Sequence, residues 1–306
     1  MLTSAVFSDI SKAFESVYHE TLTLKLQDVG ASNPVIQSFC NYPNDRRQVV
    51  RMYSTLSETL PINCGVPQGC VLGPHLFSIY TNVVPSAPQK CSVQSYVYDT
   101  KLVISFKMKD AVIAFADLRD DLHAIGQWCS KNLFLFNPSK TKLMVFGSRQ
   151  MHSRLVTPRF TFREPVPEQT AKDLGVILDT KLTYDEHITR AISSCMSCLI
   201  QISHTKHVYD KRTPLTTMNA QASGKLFYCS NVWANTSKSN ISKFQSIQNV
   251  AARIATSTRK YEHMTPVLKE LKWLPVATQL YFTNAITRGV LPVSYTHLTL
   301  PTKRIV

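Results

Sequence analysis

Only 20 of the 306 residues are Asp or Glu, so the positions of the carboxylates carry weight. Asp9 ends a β-like run, Val6-Phe7-Ser8-Asp9-Ile10, and Asp99 sits in the turn Tyr98-Asp99-Thr100 between two further β-rich runs. Carboxylates at the end of one strand and at the tip of a neighbouring hairpin can converge on a hard divalent cation. Mg²⁺ takes one or two carboxylates plus substrate phosphates more readily than an all-protein cage. Two such ions about 3.5–4 Å apart activate an attacking hydroxyl and stabilise the leaving oxygen in phosphoryl transfer. Strand-end aspartates also serve as turn and cap residues, and residue type alone leaves both readings open.

The elements that must position these residues read as follows. Residues 5–10 form a short buried strand, followed by helices over 19–29, ended by Gly30, and over 34–42. Strands over 48–52 and 60–64 are joined by a polar turn, and Gly65-Val66-Pro67-Gln68-Gly69 is a loop before a helix from Pro74 to about residue 84. Runs 94–97 and 101–106 form a hairpin. Residues 109–131 form an amphipathic helix with Val112, Phe115, Leu118, Leu122, Ile125 and Cys129 on its apolar stripe, leaving Asp117, Asp120 and Asp121 on the solvated face. Strands follow at 143–146 and 174–178, then helices over 185–207, 214–233 and 238–257. The pattern is an α+β half, about 1–180, and a mostly helical half, about 181–292.

Charge is uneven along the chain. Residues 1–100 hold 6 basic and 7 acidic side chains, 101–200 hold 14 and 10, and 201–306 hold 14 and 3. Most of the formal +14 therefore sits in the last third, which suits a polyanion partner or a basic solvated surface. No apolar run approaches the roughly 20 residues of a membrane helix, and the start lacks a signal-peptide pattern. These features point to an intracellular protein, in cytoplasm or nucleus, with its eight cysteines reduced.

Taken in order, five segments resemble the motifs of non-LTR retrotransposon (LINE-type) reverse transcriptases. Ser8-Asp9-Ile10-Ser11-Lys12-Ala13-Phe14 is similar to the first catalytic motif, and Cys64-Gly65-Val66-Pro67-Gln68-Gly69-Cys70 to the next. Gln94-Ser95-Tyr96-Val97-Tyr98-Asp99-Thr100 resembles the catalytic hairpin. Asn137-Pro138-Ser139-Lys140-Thr141-Lys142 and Asp173-Leu174-Gly175-Val176 resemble the two motifs that follow. The likeness continues through Asn249–Ile254 to Leu274-Pro275-Val276 and covers the chain to about residue 292.

The resemblance implies a polymerase palm, an antiparallel sheet with packed helices, followed by a helical thumb-like region. It also implies RNA template, DNA primer and deoxynucleoside triphosphates as partners, with a two-metal Mg²⁺ site. Asp9, the carbonyl of Ile10 and Asp99 would be metal ligands. Phe14 would pack under the deoxyribose and exclude a 2′-hydroxyl, although an aromatic there also reads as an ordinary core residue. Gly65, Gln68 and Gly69 would lie beside nucleotide and template, where the same segment alone reads as a surface loop. Lys140 or Lys142 would clamp the leaving pyrophosphate, against a plain solvated lysine pair. Lys243, Arg253, Arg259 and Lys260 would grip nucleic-acid phosphates.

Four departures from the family stand out. The hairpin normally reads Tyr-x-Asp-Asp, and Tyr98 replaces the first Asp. A phenol, with a reference pKa of about 10, is neutral near pH 7 and a poor Mg²⁺ ligand, so the copy is expected to be inactive or nearly so. Cys70 stands where Ser is common. The chain begins at the first aspartate motif, so the fingers are expected to be largely missing. Residues 293–306 resemble translated sequencing-adapter read-through and are set apart from the fold. A non-catalytic nucleic-acid-binding pseudoenzyme using the basic last third is the alternative reading.

Two other signals weigh less. Cys195, Cys198, His204 and His207 invite a zinc reading, but only five residues separate the pairs and helical spacing favours apolar packing. Trp233 and Trp273 read as core anchors in preference to base-stacking platforms.

Overall fold

Residues Leu2–Ser8 (β1) carry apolar and small side chains on both faces, and Leu2, Ser4, Ala5, Val6 and Ser8 are all buried. A strand of that kind belongs in the middle of a covered sheet. It lies between Asp99–Phe106 (β3) and Lys142–Phe146 (β4), antiparallel to each, with Val6 opposite both Leu102 and Leu143. Ser92–Tyr96 (β2) forms the exposed edge, giving the order β4-β1-β3-β2. The computed structural model describes residues 1–41, 46–66, 69–97, 99–137, 140–155, 167–205, 208 and 216–287. Residues 293–306 lie outside them. The chain divides into two compact units, Met1–Ala171 and Lys172–Val306.

In the first unit, helices His19–Asp28 (α1), Leu72–Thr81 (α3) and Ala111–Lys131 (α4) cover the sheet. Asn33–Asn41 is α2. Their buried faces meet the strands in one core that includes Leu22, Phe77, Tyr80, Leu102, Phe115, Leu118 and Leu143. Phe77 stacks on Phe14 at 4.6 Å between ring centres, and Phe115 meets Phe106 edge-on at 5.5 Å. Lys25 of α1 donates to the Tyr80 carbonyl at 2.5 Å, with its ammonium over the rings of Tyr80 and Trp128. Burial lowers the pKa of Lys25 against the opposing pull of Asp28.

Several expected elements take a different form. Strands 48–52 and 60–64 are instead a doubled ribbon, Arg47–Gln48 with Leu60–Pro61 and Arg51–Met52 with Thr55–Leu56. Tyr53 adopts the left-handed conformation that reverses the chain. Residues 174–178 are not one strand: Thr170–Asp173 pairs with Val176–Asp179 about Leu174 and Gly175, both at positive φ. On α4 the stripe runs through Ala111, Ala114, Phe115, Leu118, Asp121, Ile125 and Cys129, which leaves Val112 76% exposed.

Among its described residues the second unit is mainly helical, with the strand Val176–Asp179 near its start. Asp185–Thr205 (α5) and Lys238–Thr256 (α6) pack together, with Met218–Ser223, Gly224–Leu226 and Ser230–Trp233 as short helical turns between them. The expected single helix over 214–233 is broken there, with Cys229 left-handed. Cys195, Cys198, Leu199 and Ile202 of α5 are buried in the core; His207 lies outside the described residues. Trp233 is fully buried and stacks on Phe244 at 4.8 Å and 10°, and Trp273 packs against the same core. Both tryptophans are core anchors. No helix among the described residues is long and apolar enough to cross a membrane.

His187 gives this unit a pH-dependent stability. It is buried against Trp233, and its Nδ1 accepts the Ile177 N–H at 3.3 Å. Burial pulls its pKa below the usual value, so the fold prefers the neutral ring. The unfolded chain takes up the proton first as pH falls. The contribution is therefore whole above about 6.5 and declines below it. Melting midpoints measured across that range should fall with acidification for the natural chain. They should fall less for His187→Gln; equal slopes would contradict this.

Candidate active site

Antiparallel pairing of β1 and β3 ends with Ser8 opposite Thr100, so Asp9 and Asp99 each lie one residue past that last pair, and Asp99 is not among the residues that line the cleft at Asp9. The Ser8 hydroxyl donates to the Thr100 carbonyl at 2.8 Å, which fixes this end of the ladder. Asp99 pairs with Tyr96 and begins β3; it is the first residue of the strand, and the expected turn position is corrected accordingly. Tyr98 lies outside the described residues.

Beyond β1 the chain pairs Ile10–Ser11 with Leu135–Phe136, and the Asn137 N–H donates to the Asp9 carbonyl at 3.1 Å. That contact brings the segment carrying Lys140 over Asp9. Lys140 Nζ sits 3.1 Å from Asp9 Oδ2, a buried oxygen that otherwise accepts no hydrogen bond from the described residues. Asp9, Ile10, Lys12, Ala13, Phe14, Glu15 and Lys140 line an open cleft of about 200 Å³. Lys142 is not in it: its ammonium pairs with Glu168 at 2.6 Å. Of the two lysines, only Lys140 joins the carboxylate. Lys12 and Glu15, which no motif reading singled out, complete the wall. Their only sequence signal is closeness to Asp9.

The loop that begins at Gly65 is fastened to this wall. Gly65 N–H donates to the Val17 carbonyl at 2.7 Å, Val66 N–H to the Phe14 carbonyl at 2.9 Å, and His19 Nε2 lies 2.8 Å from the Gly65 carbonyl. At φ +92° Gly65 adopts a conformation side chains rarely take, and an added Cβ would meet the Glu15 backbone at 3.1–3.2 Å. Its close approach is thus to the chain's own backbone under Phe14. Gly69, at φ +80°, has open space around it, and Gln68 lies outside the described residues. Gly65→Ala should cost roughly 1–3 kcal/mol and lower the melting midpoint, while Gly69→Ala bears only the conformational part, about 1 kcal/mol. Equal losses would remove the Glu15 contact from the account.

Past the loop, Cys70 Sγ accepts the Gly73 N–H at 3.1 Å, so the thiol caps the start of α3 where a hydroxyl would bond more strongly. The β2–β3 hairpin is held at its base by Asp121, expected on the solvated face but 4% exposed. Its carboxylate accepts the N–H groups of Gln89, Lys90 and Cys91 at 2.7–2.9 Å. Burial alone would raise its pKa; the three backbone bonds outweigh that, and the net shift is downward. Cys91 beside it is pushed up to about 12 by burial and by Asp121. Asp117 and Asp120 do face solvent, both paired with Lys90.

In the second unit, Lys243 and Arg253 lie on α6, with Arg259 and Lys260 just beyond it. Lys243 Nζ reaches Asn240 Oδ1 at 3.4 Å. Arg253 and Lys260 line one cleft of about 470 Å³, which Lys243 and Arg259 do not line.

Residues 2–178 match the family model of the reverse transcriptase (RNA-dependent DNA polymerase). Among curated proteins the chain is similar to a probable RNA-directed DNA polymerase from transposon BS of Drosophila melanogaster, 27% identical over 90% of this chain and 31% of that one. The one from transposon X-element of the same species is 26% identical over 90% and 31%. The chain therefore spans about a third of the length of these relatives. Of solved structures, a telomerase from Candida tropicalis covers 92% of this chain and 49% of its own, at 10% identity and a TM-score of 0.43.

Proposed function

Because the chain belongs to the reverse transcriptase family, in the LINE type carried by non-LTR retrotransposons, we propose that its first unit is a polymerase palm. RNA-directed DNA synthesis is its inherited reaction, and Tyr98 has left this copy with little or none of it. The observation that carries the reading is the cleft itself. Asp9 Oδ2 is buried, and among the described residues its one partner is the Lys140 ammonium, in a wall shared with Phe14.

Those residues fit a divalent ion held in part by substrate. Asp9 would supply a carboxylate and the Ile10 carbonyl a further oxygen within the cleft, and Asp99, one residue past the Ser8–Thr100 pair, would bring the second carboxylate. The described residues contain no cluster of three or more His, Cys, Asp or Glu that would make a closed cage. Mg²⁺ completes such a shell with water and phosphate, and when bound it would neutralise charge developing on the transferred phosphoryl group. Lys140, paired with Asp9, would meet the leaving pyrophosphate as substrate enters. Phe14, backed by Phe77, forms a rigid wall that a 2′-hydroxyl would strike. Gly65, Gln68 and Gly69 belong to the loop beside nucleotide and template, and Gly65 ties that loop to the wall. Lys142, held by Glu168, acts at most as a second cation at the rim.

The second unit is read as the thumb-like grip. Lys243, Arg253, Arg259 and Lys260 give salt-dependent, sequence-tolerant contacts with the phosphates of a template–primer. That grip also supports the alternative, a pseudoenzyme that binds nucleic acid without copying it. Primer extension on an RNA template with Mg²⁺ and deoxynucleoside triphosphates, run beside a gel shift over a salt series, tests both. The expected result is a salt-sensitive shift with negligible extension. Extension by the natural chain at a rate matching Tyr98→Asp would overturn the inactivity. Absence of any shift would overturn the grip.

A further inference from the structure

At the end of α6 the chain reverses through Ser257, left-handed at φ +57°, and Thr258 N–H returns to the Arg253 carbonyl at 3.2 Å. The reversal brings Lys260 and Tyr261 back beside Arg253, in the cleft of about 470 Å³ that Asn249 and His263 also line. That volume falls within the roughly 300–1,000 Å³ of ordinary ligand sites. The floor is preset: Gln245 Oε1 accepts the Val276 N–H at 2.9 Å, and its amide donates to Asn249 Oδ1 at 3.0 Å.

Two features are unexplained by folding. Arg253 Nε is buried and has no hydrogen-bond partner among the described residues. A buried, unmatched guanidinium nitrogen is costly unless an acceptor arrives. Tyr261 is 95% exposed, so its ring adds almost nothing to the core, yet it lines the cleft beside two permanent cations. The one carboxylate in the lining, Glu262, turns its Oε1 to the Arg259 N–H at 3.2 Å.

We propose that this cleft is a binding site for an unpaired nucleotide of single-stranded nucleic acid, with the base stacked on Tyr261 and its phosphate taken by Arg253 and Lys260. An aromatic face beside cations is the general chemistry of single-strand binding, because every base has a π-face to stack. A base inside a duplex is already stacked and cannot reach the ring, so the site separates single strands from duplex. The inference rests on the nucleic-acid reading of the second unit and adds what form of strand is held, and where.

The test uses the full chain and fluorescence anisotropy with short U-rich RNA, short T-rich DNA and a blunt RNA–DNA duplex. Tyr261→Ala should weaken binding of single strands about 5- to 100-fold, the range that loss of one stacked base gives. Duplex binding should not change. Tyr261→Phe should keep the natural affinity, and Lys260→Gln should weaken every ligand and flatten the salt dependence. An exposed side chain lets these variants fold, which an unchanged melting midpoint verifies. Single-strand binding by Tyr261→Ala equal to that of the natural chain overturns this site and leaves the basic grip standing. Failure of the natural chain to bind any of the three ligands overturns both.

Discussion

Tyr98→Asp should raise Mg²⁺-dependent primer extension by about 100- to 1,000-fold over the natural chain. Each ~1.4 kcal/mol of transition-state stabilisation is tenfold in rate, and a missing anionic ligand at a two-metal site withholds several kcal/mol. The phenol cannot substitute, because it stays neutral near pH 7. Asp99 follows directly in the chain and opens β3, whose pairing with β1 ends one residue from both aspartates, so the added carboxylate would lie at that same end of the ladder. Tyr98→Asn separates charge from size: it should gain little, while Asp9→Asn in the Tyr98→Asp chain should erase the gain. Extension rates on one RNA template decide it. Equal rates for the natural chain and Tyr98→Asp would mean that residue 98 does not limit the chemistry.

Asp121→Ala should be the most destabilising of the substitutions considered, by roughly 3–5 kcal/mol, lowering the first unit's melting midpoint by roughly 10 °C. The loss is large because three N–H groups, of Gln89, Lys90 and Cys91, would be left without their shared acceptor. Asp121→Asn keeps one acceptor oxygen and should lose about half as much. The pH dependence has a definite sign. The folded pKa of Asp121 is depressed, so its contribution is present above the ordinary carboxylate value of about 3.9 and is lost as pH falls through the folded one. A melting curve for Asp121→Ala within about 1 kcal/mol of the natural chain would remove this carboxylate as the anchor of the hairpin.

What the sequence made legible depended on how local the signal was. Asp9, Phe14 and Lys140 were readable because each falls inside a short motif whose order along the chain was kept. They do line one cleft. The central strand was readable from its apolar run, and the hairpin from two β-rich runs with a minimal turn. Asp121 was not, because its partners lie about thirty residues away and α4's periodicity places it beside two aspartates that do face water. The role of Gly65 was visible only in type: a glycine was demanded, but the backbone it approaches is that of Glu15, a contact no spacing reveals. Lys142 looked equivalent to Lys140 until Glu168 was seen to hold it. Tyr261 carried no signal, since an isolated tyrosine after a helix is unremarkable until the reversal at Ser257 sets it beside Arg253.

Mn²⁺ binding tests, without requiring turnover, whether Asp9 and Asp99 form an inherited cation site weakened by Tyr98. Titration of the full chain, followed by the electron paramagnetic resonance signal of free Mn²⁺, should show weak binding that Asp9→Asn and Asp99→Asn each abolish and Tyr98→Asp tightens at least about tenfold. Mn²⁺ affinity that is the same in all four chains would contradict it.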